Sequence, residues 1–323
     1  MHIPDGLMDP IVALVGLIEF LAIVGSALAL SSRKTKEKDL PRVAVLCAGI
    51  FVAQMLNFPV GGGTTGHLIG AALLAIMIGP VLAILGMTVV LIIQALMFGD
   101  GGITALGLNG LNMAIIAPLV GWGVYSLVHP ISKGLGRAGD SIAVAAAAWA
   151  SVFTAAAACA AELAVSFSIS DGAYGIAGAI SVPAMLGYHA VIGIGEAVIT
   201  VGVVAYVRTA SPGAFSRAAI IPPTKTLLLR LTSSKVAMAS VAIIVVFALS
   251  LPFYFLYSSS GSDGLEQTME DADFEERDQI LSSPFSYGDG YFMALFAGLL
   301  GFLAVALAAL GALKLLGRGP KRD

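Results

Sequence analysis

PIVALVGLIEFLAIVGSALAL (residues 10–30) carries one charged side chain, Glu19, in twenty-one positions. A bilayer's hydrocarbon layer of about 30 Å demands a helix of about 20 apolar residues, so the stretch is read as a membrane span. The rest of the chain repeats that theme. Of its 323 residues 58% are hydrophobic and 11% are charged, with a mean hydropathy of +0.94. Soluble domains carry about 25% charged residues, so this chain has less than half the charge that a water-facing surface needs. That excludes a cytoplasmic enzyme, a nucleic-acid binder and a disordered protein alike. The 38 glycines suit close helix packing in lipid. Cys47 and Cys159, the two cysteines, lie within apolar runs, which argues against a disulfide framework or a cysteine-based metal site. The expected fold class is an all-α integral membrane protein.

Nine segments qualify as spans: about 10–30, 42–58, 67–79, 81–98, 108–128, 141–168, 184–207, 236–257 and 290–313. The third and fourth are short and separated only by Gly79-Pro80, which predicts a kinked hairpin there. Lys and Arg are retained in cytoplasmic loops. Sixteen of the 17 basic residues fall on one side of a nine-span chain, within 33–42, 133–137, 208–235 and 314–322. Arg277 is the exception, in the acidic loop 263–289. The N-terminus is therefore expected outside and the C-terminus in the cytoplasm. The polar, basic stretch 209–235, with Pro212 and Pro222-Pro223, reads as a linker. It divides the chain into a seven-span bundle (1–208) and a two-span C-terminal domain (236–323) with an acidic external loop. No inverted repeat of the transporter type is evident.

The opening MHIPDGLMDP lacks a basic n-region, and no A-x-A-like site follows the first span, so it is not read as a signal peptide. Because His2 is large, Met1 is expected to be kept, leaving its free amine facing outward. A terminal amine, the next peptide nitrogen and the His2 imidazole close adjacent chelate rings on one metal ion. That supplies three nitrogens in a plane and leaves a fourth position open, an arrangement that Ni(II) and Cu(II) favour over Zn(II). On position alone His2 is also read as an ordinary early polar residue. Pro4-Asp5-Gly6 is turn chemistry, able to fold residues 1–3 back onto the bundle.

Gly61-Gly62-Gly63-Thr64-Thr65-Gly66-His67 matches G-x-G-x-x-G, but it lies between two apolar spans without a βαβ context, so a dinucleotide site is rejected. Its glycines instead permit close backbone approach. His67 opens the third span, where a folded-back His2 would meet it. In the stretch 98–109, Asp100 and Asn109 are candidates for orienting ligands, as is Thr65 beside His67; a turn residue and a helix cap are the plainer readings of the first two. His189 and Glu196 are seven apart and share a helix face, either as a buried hydrogen-bonded pair or as a metal relay. His129 before Pro130 reads as a helix terminus. The chain has no G-x-x-x-x-G-K-[ST] phosphate loop, no G-x-S-x-G and no H-E-x-x-H, so neither ATP hydrolysis through such a loop nor an intramembrane hydrolase is indicated.

MHIPDG (1–6), GGGTTGHLIG (61–70), FGDGGITALGLN (98–109) and HAVIGIGEAVIT (189–200) together resemble the substrate-binding membrane component of nickel and cobalt energy-coupling-factor (ECF) transporters, over about 1–208. SDGLE (262–266), flanked by the last two spans, resembles the PDGLE loop of the small accessory component, with Ser262 in place of proline. The chain thus resembles a fusion of the two. The resemblance implies capture of Ni(II) or Co(II) as transported substrate in a planar site of Met1, His2 and His67, with no resident cofactor. It also implies partners: a membrane coupling subunit and separate ATPase subunits that drive transport, besides lipid and the metal ion, and no nucleic acid. Binding is expected to weaken as the pH falls through about 6.5–8, where histidines and terminal amines take up protons. A self-sufficient ion-coupled permease and a membrane metal sensor are the alternatives.

Overall fold

The structure is a computed structural model that describes residues 1–31, 40–61, 64–210, 234–258, 261–274 and 279–316. Most of the basic residues used above for orientation, nearly all of the linker 209–235, and Arg277 lie outside the described residues.

The helices in chain order are α1 (Pro10–Ser31), α2 (Leu40–Gln54), α3 (Ala71–Ile78), α4 (Pro80–Ile93), α5 (Leu106–Asn109), α6 (Ala117–Ser132), α7 (Arg137–Ile169), α8 (Gly178–Ala210), α9 (Ser234–Tyr257), α10 (Gly264–Asp271) and α11 (Tyr291–Leu316). α4 runs on through π-helical Gln94–Phe98, and π-helical Gly110–Ile116 joins α5 to α6. The protein is an all-α membrane protein whose one sheet, among the described residues, is a two-stranded hairpin. Among the described residues, seven helices are long and apolar enough to cross a bilayer. Their outward faces are apolar too: Ile11, Leu14, Ile18 and Leu21 of α1 are each more than half exposed, which is a face for lipid rather than water.

Two expected spans come out differently. The second, α2, has 15 residues, about 22 Å at 1.5 Å per residue, and it stops at Gln54. The third is not a span. Asn57–Gly61 (β1) and Thr64–His67 (β2) pair antiparallel, Asn57 against His67, with a register shift between Pro59 and Gly61. Only after this hairpin does the chain form the eight-residue α3, which ends at Gly79 (φ 84°). Pro59 and the glycine run explain the change, since both disfavour helix. α3 is buried along Ala71–Ala75, inside protein rather than against lipid. Non-helical backbone is tolerated within an apolar bundle only where its polar groups are satisfied, which the residues 68–70 achieve through partners described below.

α7 and α8 form the most extensive helix pair, α6 lies along α7, and α3 packs on α6. From the C-terminal part α11 packs along α2, α9 packs on α2 and α11, and the short α10 sits on α8 and β2. The α11–α2 contact is tight at Gly301, where any Cβ would overlap the ring of Phe51, itself fully buried. Gly301→Ala is therefore an overpacking change of about 1–3 kcal/mol. It is expected to lower the thermal unfolding midpoint in detergent, whereas Gly311→Ala, with nothing within 4 Å of the added carbon, is expected to leave the midpoint unchanged or slightly raised.

Candidate metal centre

The chain's first nine residues lie inside the bundle. Met1, Ile3, Leu7 and Met8 belong to the hydrophobic core. Main-chain bonds fix the path: Asn109 accepts from Ile3 N–H at 2.8 Å and donates back to Ile3 C=O at 3.0 Å, so one amide side chain treats residue 3 as a neighbouring strand would. Gly102 N–H also donates to Ile3 C=O, at 2.8 Å. The turn at Asp5-Gly6 forms as the sequence suggests, with Gly6 at φ 76°. Asp5 anchors it by accepting from Thr104 N–H at 2.9 Å and Thr104 Oγ1 at 2.6 Å. Glycine is required at 102, because a Cβ there would lie 2.6 Å from Asp5 Oδ1.

This path delivers the Met1 amine to His67. The ammonium donates to His67 Nε2 at 3.0 Å and to Asp263 Oδ2. His67 Nδ1 faces Leu68 C=O at 3.2 Å; that bond places the proton on Nδ1 and leaves the Nε2 lone pair for the amine. The His2 ring stacks on the His67 ring, centroids 5.0 Å apart and planes 26° off parallel. His2 Nδ1 is 3.1 Å from Asp100 Oδ1, and His2 Nε2 is buried with no partner among the described residues. Burial, reinforced by the amine and His2, holds His67 well below the ordinary imidazole range. Burial likewise lowers His2, against the opposing pull of Asp100. Both rings are thus neutral, the form that binds metal. For Asp263 burial alone would raise the carboxyl, but the ammonium and His67 beside it hold it well below the usual range.

A second layer fixes the segments that carry these groups. Glu196 of α8 accepts from Ile69 N–H at 2.7 Å and Gly70 N–H at 2.8 Å, one bond on each oxygen. Gln54 donates to Ile69 C=O at 2.7 Å and accepts from Gln94 at 2.7 Å. The main chain two residues beyond His67 is thereby held on both its donor and its acceptor side. Tyr287 donates to Asp100 Oδ2 at 2.7 Å; burial first, and then Asp100, raise its phenol well above the ordinary value, so it stays the donor.

The structure therefore brings Met1, His2 and His67 together and puts Asp100 in contact with His2. Asn109 acts on residue 3, next to the site rather than in it. Thr65 bonds none of the three: its N–H donates to Ser262 C=O at 2.8 Å and its Oγ1 to Gly261 C=O at 2.9 Å, tying β2 to the C-terminal part. His189 and Glu196 do not pair, since His189 Nδ1 bonds Met185 C=O at 2.8 Å. His129, in the last turn of α6, reaches Asp140 at 2.8 Å, far from these groups in the chain's order of elements. Sequence reasoning missed Asp263, Gln54, Gln94 and Tyr287. A cavity of about 220 Å³ adjoins the site, lined by His2, His67, Asp100 and Asp263 among others. Among the described residues no three His, Cys, Asp or Glu side chains form a metal cage; what converges here is a main-chain amine with two imidazoles.

Comparison with known proteins shows what the chain is similar to. A family model described as a cobalt uptake substrate-specific transmembrane region matches residues 2–214. A putative metal transport protein of Haloquadratum walsbyi is 42% identical over 212 residues, 66% of this chain and 92% of its own. The putative fused nickel transport protein NikMN of Archaeoglobus fulgidus is 39% identical over 212 residues, 66% of this chain and 67% of its own. A crystal structure of a truncated transition metal transporter superposes with a TM-score of 0.59 at 39% identity, covering 65% of this chain and 99% of that one.

Glu196→Gln keeps the size of the side chain but turns an NH2 toward one of the two N–H groups it now accepts. One buried donor then goes unsatisfied, at about 1–3 kcal/mol. The thermal midpoint of the metal-free protein is expected to fall accordingly; an unchanged midpoint would remove Glu196 from the support of residues 69–70.

Proposed function

This chain belongs to the family of cobalt uptake substrate-specific transmembrane regions, and from that premise we propose that it captures Ni(II) or Co(II) outside the cell and delivers it inward. Its relatives are named as nickel and cobalt transport proteins, and the chain is a multi-pass membrane protein rather than an enzyme. The observation that carries the reading is the 3.0 Å separation of the Met1 amine from His67 Nε2. Two nitrogens at right angles around a metal, each about 2.0–2.1 Å from it, lie about 3 Å apart.

In this reading the donors are the Met1 amine, the His2 amide nitrogen, His2 Nδ1 and His67 Nε2. Only Nδ1 of a second-residue histidine closes a six-membered ring with its own amide nitrogen. That atom faces Asp100 in the metal-free protein, so binding requires the ring to turn about Cβ–Cγ and its proton to move from Nδ1 to Nε2, which leaves the Nδ1 lone pair for the metal. Four planar nitrogens favour nickel over cobalt. Asp100 and Asn109 position the ligands, Asp100 through His2 and Asn109 through residue 3.

The remaining assignments follow from the sequence. The distribution of Lys and Arg supports an outward N-terminus and a cytoplasmic C-terminus. The match over 2–214 supports a division into a substrate component (1–208), a linker (209–235) and a two-span accessory domain (236–323). With no phosphate loop of its own, the chain works with a membrane coupling subunit and ATPase subunits of an ECF transporter.

The test is calorimetric titration with Ni(II) on protein whose N-terminus is verified as Met1. One metal is expected to bind, and two residues added before Met1, or His67→Ala, are expected to abolish binding. Equal binding by the extended chain would sink the assignment of the amine. Because the histidines are held neutral, the protons released come from the amine and the amide. Affinity should therefore rise with pH, by up to about a hundredfold per unit while both hold their protons, as read from titrations in a pH series. Cellular nickel uptake is expected only when coupling and ATPase subunits are co-expressed.

A further inference from the structure

The C-terminal part reaches the Met1 amine through one atom. Asp263 caps α10, and a reciprocal capping box fixes its side chain: Oδ1 accepts from Leu265 N–H at 2.7 Å and Glu266 N–H at 3.0 Å, while Glu266 accepts from Asp263 N–H at 2.7 Å. The cap occupies Oδ1 and leaves Oδ2 for the Met1 ammonium, 3.6 Å from His67 Nε2. α10 itself is seated firmly. Leu265, Thr268 and Met269 are buried, and Tyr188 of α8 donates to Asp271 at 2.7 Å. Residue 264 has no room for a side chain, since a Cβ there would lie 2.7 Å from His189 Cε1 and 3.0 Å from Ile192 Cδ1.

We propose that Asp263 is a positioning residue of the metal centre, holding the Met1 amine by one N–H while the amine's lone pair binds the metal. The proposal rests on the amine being a ligand. An ammonium has three N–H groups. Loss of one proton frees the lone pair toward His67, and a remaining N–H keeps its bond to Oδ2. The buried group also keeps its charge balance. Before binding, ammonium and carboxylate cancel. Afterwards the divalent ion is balanced by the deprotonated His2 amide and Asp263, with two protons released to solvent. A carboxylate behind a coordinated nitrogen orients it and strengthens it as a donor, and loss of such a partner costs about 10–100-fold in metal affinity. The site is thus completed by a residue of the part that follows the linker.

Asp263→Asn is the informative variant, because Asn caps helices as well as Asp does and so removes the charge without the cap. Ni(II) alone is titrated into the full chain, and the ligand-field absorption is recorded at saturation. The expected result is an affinity about 10–100-fold weaker, with one metal still bound and the absorption band shifted. Parental affinity in Asp263→Asn overturns the proposal. So does weaker binding with an unshifted band, which would leave Asp263 only the task of holding α10. The extended chain separates the two levels of inference: if it fails to bind while Asp263→Asn binds normally, the metal site stands and the role of Asp263 falls. If the extended chain binds like the parent, both fall.

Discussion

A charged chain terminus sits inside an apolar bundle, and the rest of the structure answers to that fact. Burying an unpaired ammonium is costly enough that such groups are almost always paired or neutralised. Here the Met1 amine finds a carboxylate and an imidazole, both buried. Bringing it there requires the first nine residues to abandon solvent, and polar groups at residues 3, 5 and 7 on that path find partners. Residue 3 is bonded by Asn109, the Asp5 carboxylate by Thr104, and Leu7 C=O by Gly175 N–H at 2.7 Å. An ordinary N-terminal tail pays nothing for being loose, so this degree of order points to a terminus with a task.

The scaffold achieves the order by departing from regular helix where the tail and the hairpin meet. Gln94 lies in one π-helical stretch, and Asn109 directly precedes the other. Such bulges recur at functional sites because they re-aim side chains that a regular helix would direct elsewhere. The hairpin β1–β2 does the same for His67, placing the ring on a strand end rather than on a helix that would rotate it by about 100° per residue. Glu196 makes this affordable within apolar surroundings by satisfying the two amides that follow.

What the sequence made legible was local chemistry. Met1-His2 is a chelating unit in itself, Pro4-Asp5-Gly6 is a turn in any context, and a glycine run beside His67 marks close approach. Those three features lead to the same place in the fold. Most spans were equally plain, because twenty apolar residues have one stable use in lipid. The region 57–79 was not, since its apolar character comes from burial in protein, and hydropathy does not distinguish that from burial in lipid. Thr65 and the His189–Glu196 pair show a second limit. Spacing along a helix tells which residues share a face, but Thr65 and Glu196 take main-chain partners supplied by other elements, and His189 takes the carbonyl one turn back in its own helix. Asp263 was the least legible, because its signature in the sequence is a helix cap. The capping box it forms is complete with one oxygen, and nothing local announces what the other oxygen meets 262 positions away in the chain.

That contact has a thermodynamic consequence for how the two parts of the chain behave. Interactions between binding and docking are reciprocal: whatever free energy the seating of α10 contributes to metal affinity, metal contributes equally to the seating of α10. The C-terminal part also holds to the bundle elsewhere, with α11 along α2, Tyr287 on Asp100 and Ile280 on Asp5. α10 is different. It is eight residues long, too short to be stable alone, and its cap is shared with the amine through Asp263. The occupancy of the amine is therefore felt first at the N-terminus of α10. A fused polypeptide gains something specific from this arrangement. With Asp263 on the same polypeptide as Met1, the cap is present at high effective concentration beside the amine and need not be recruited from a separate chain.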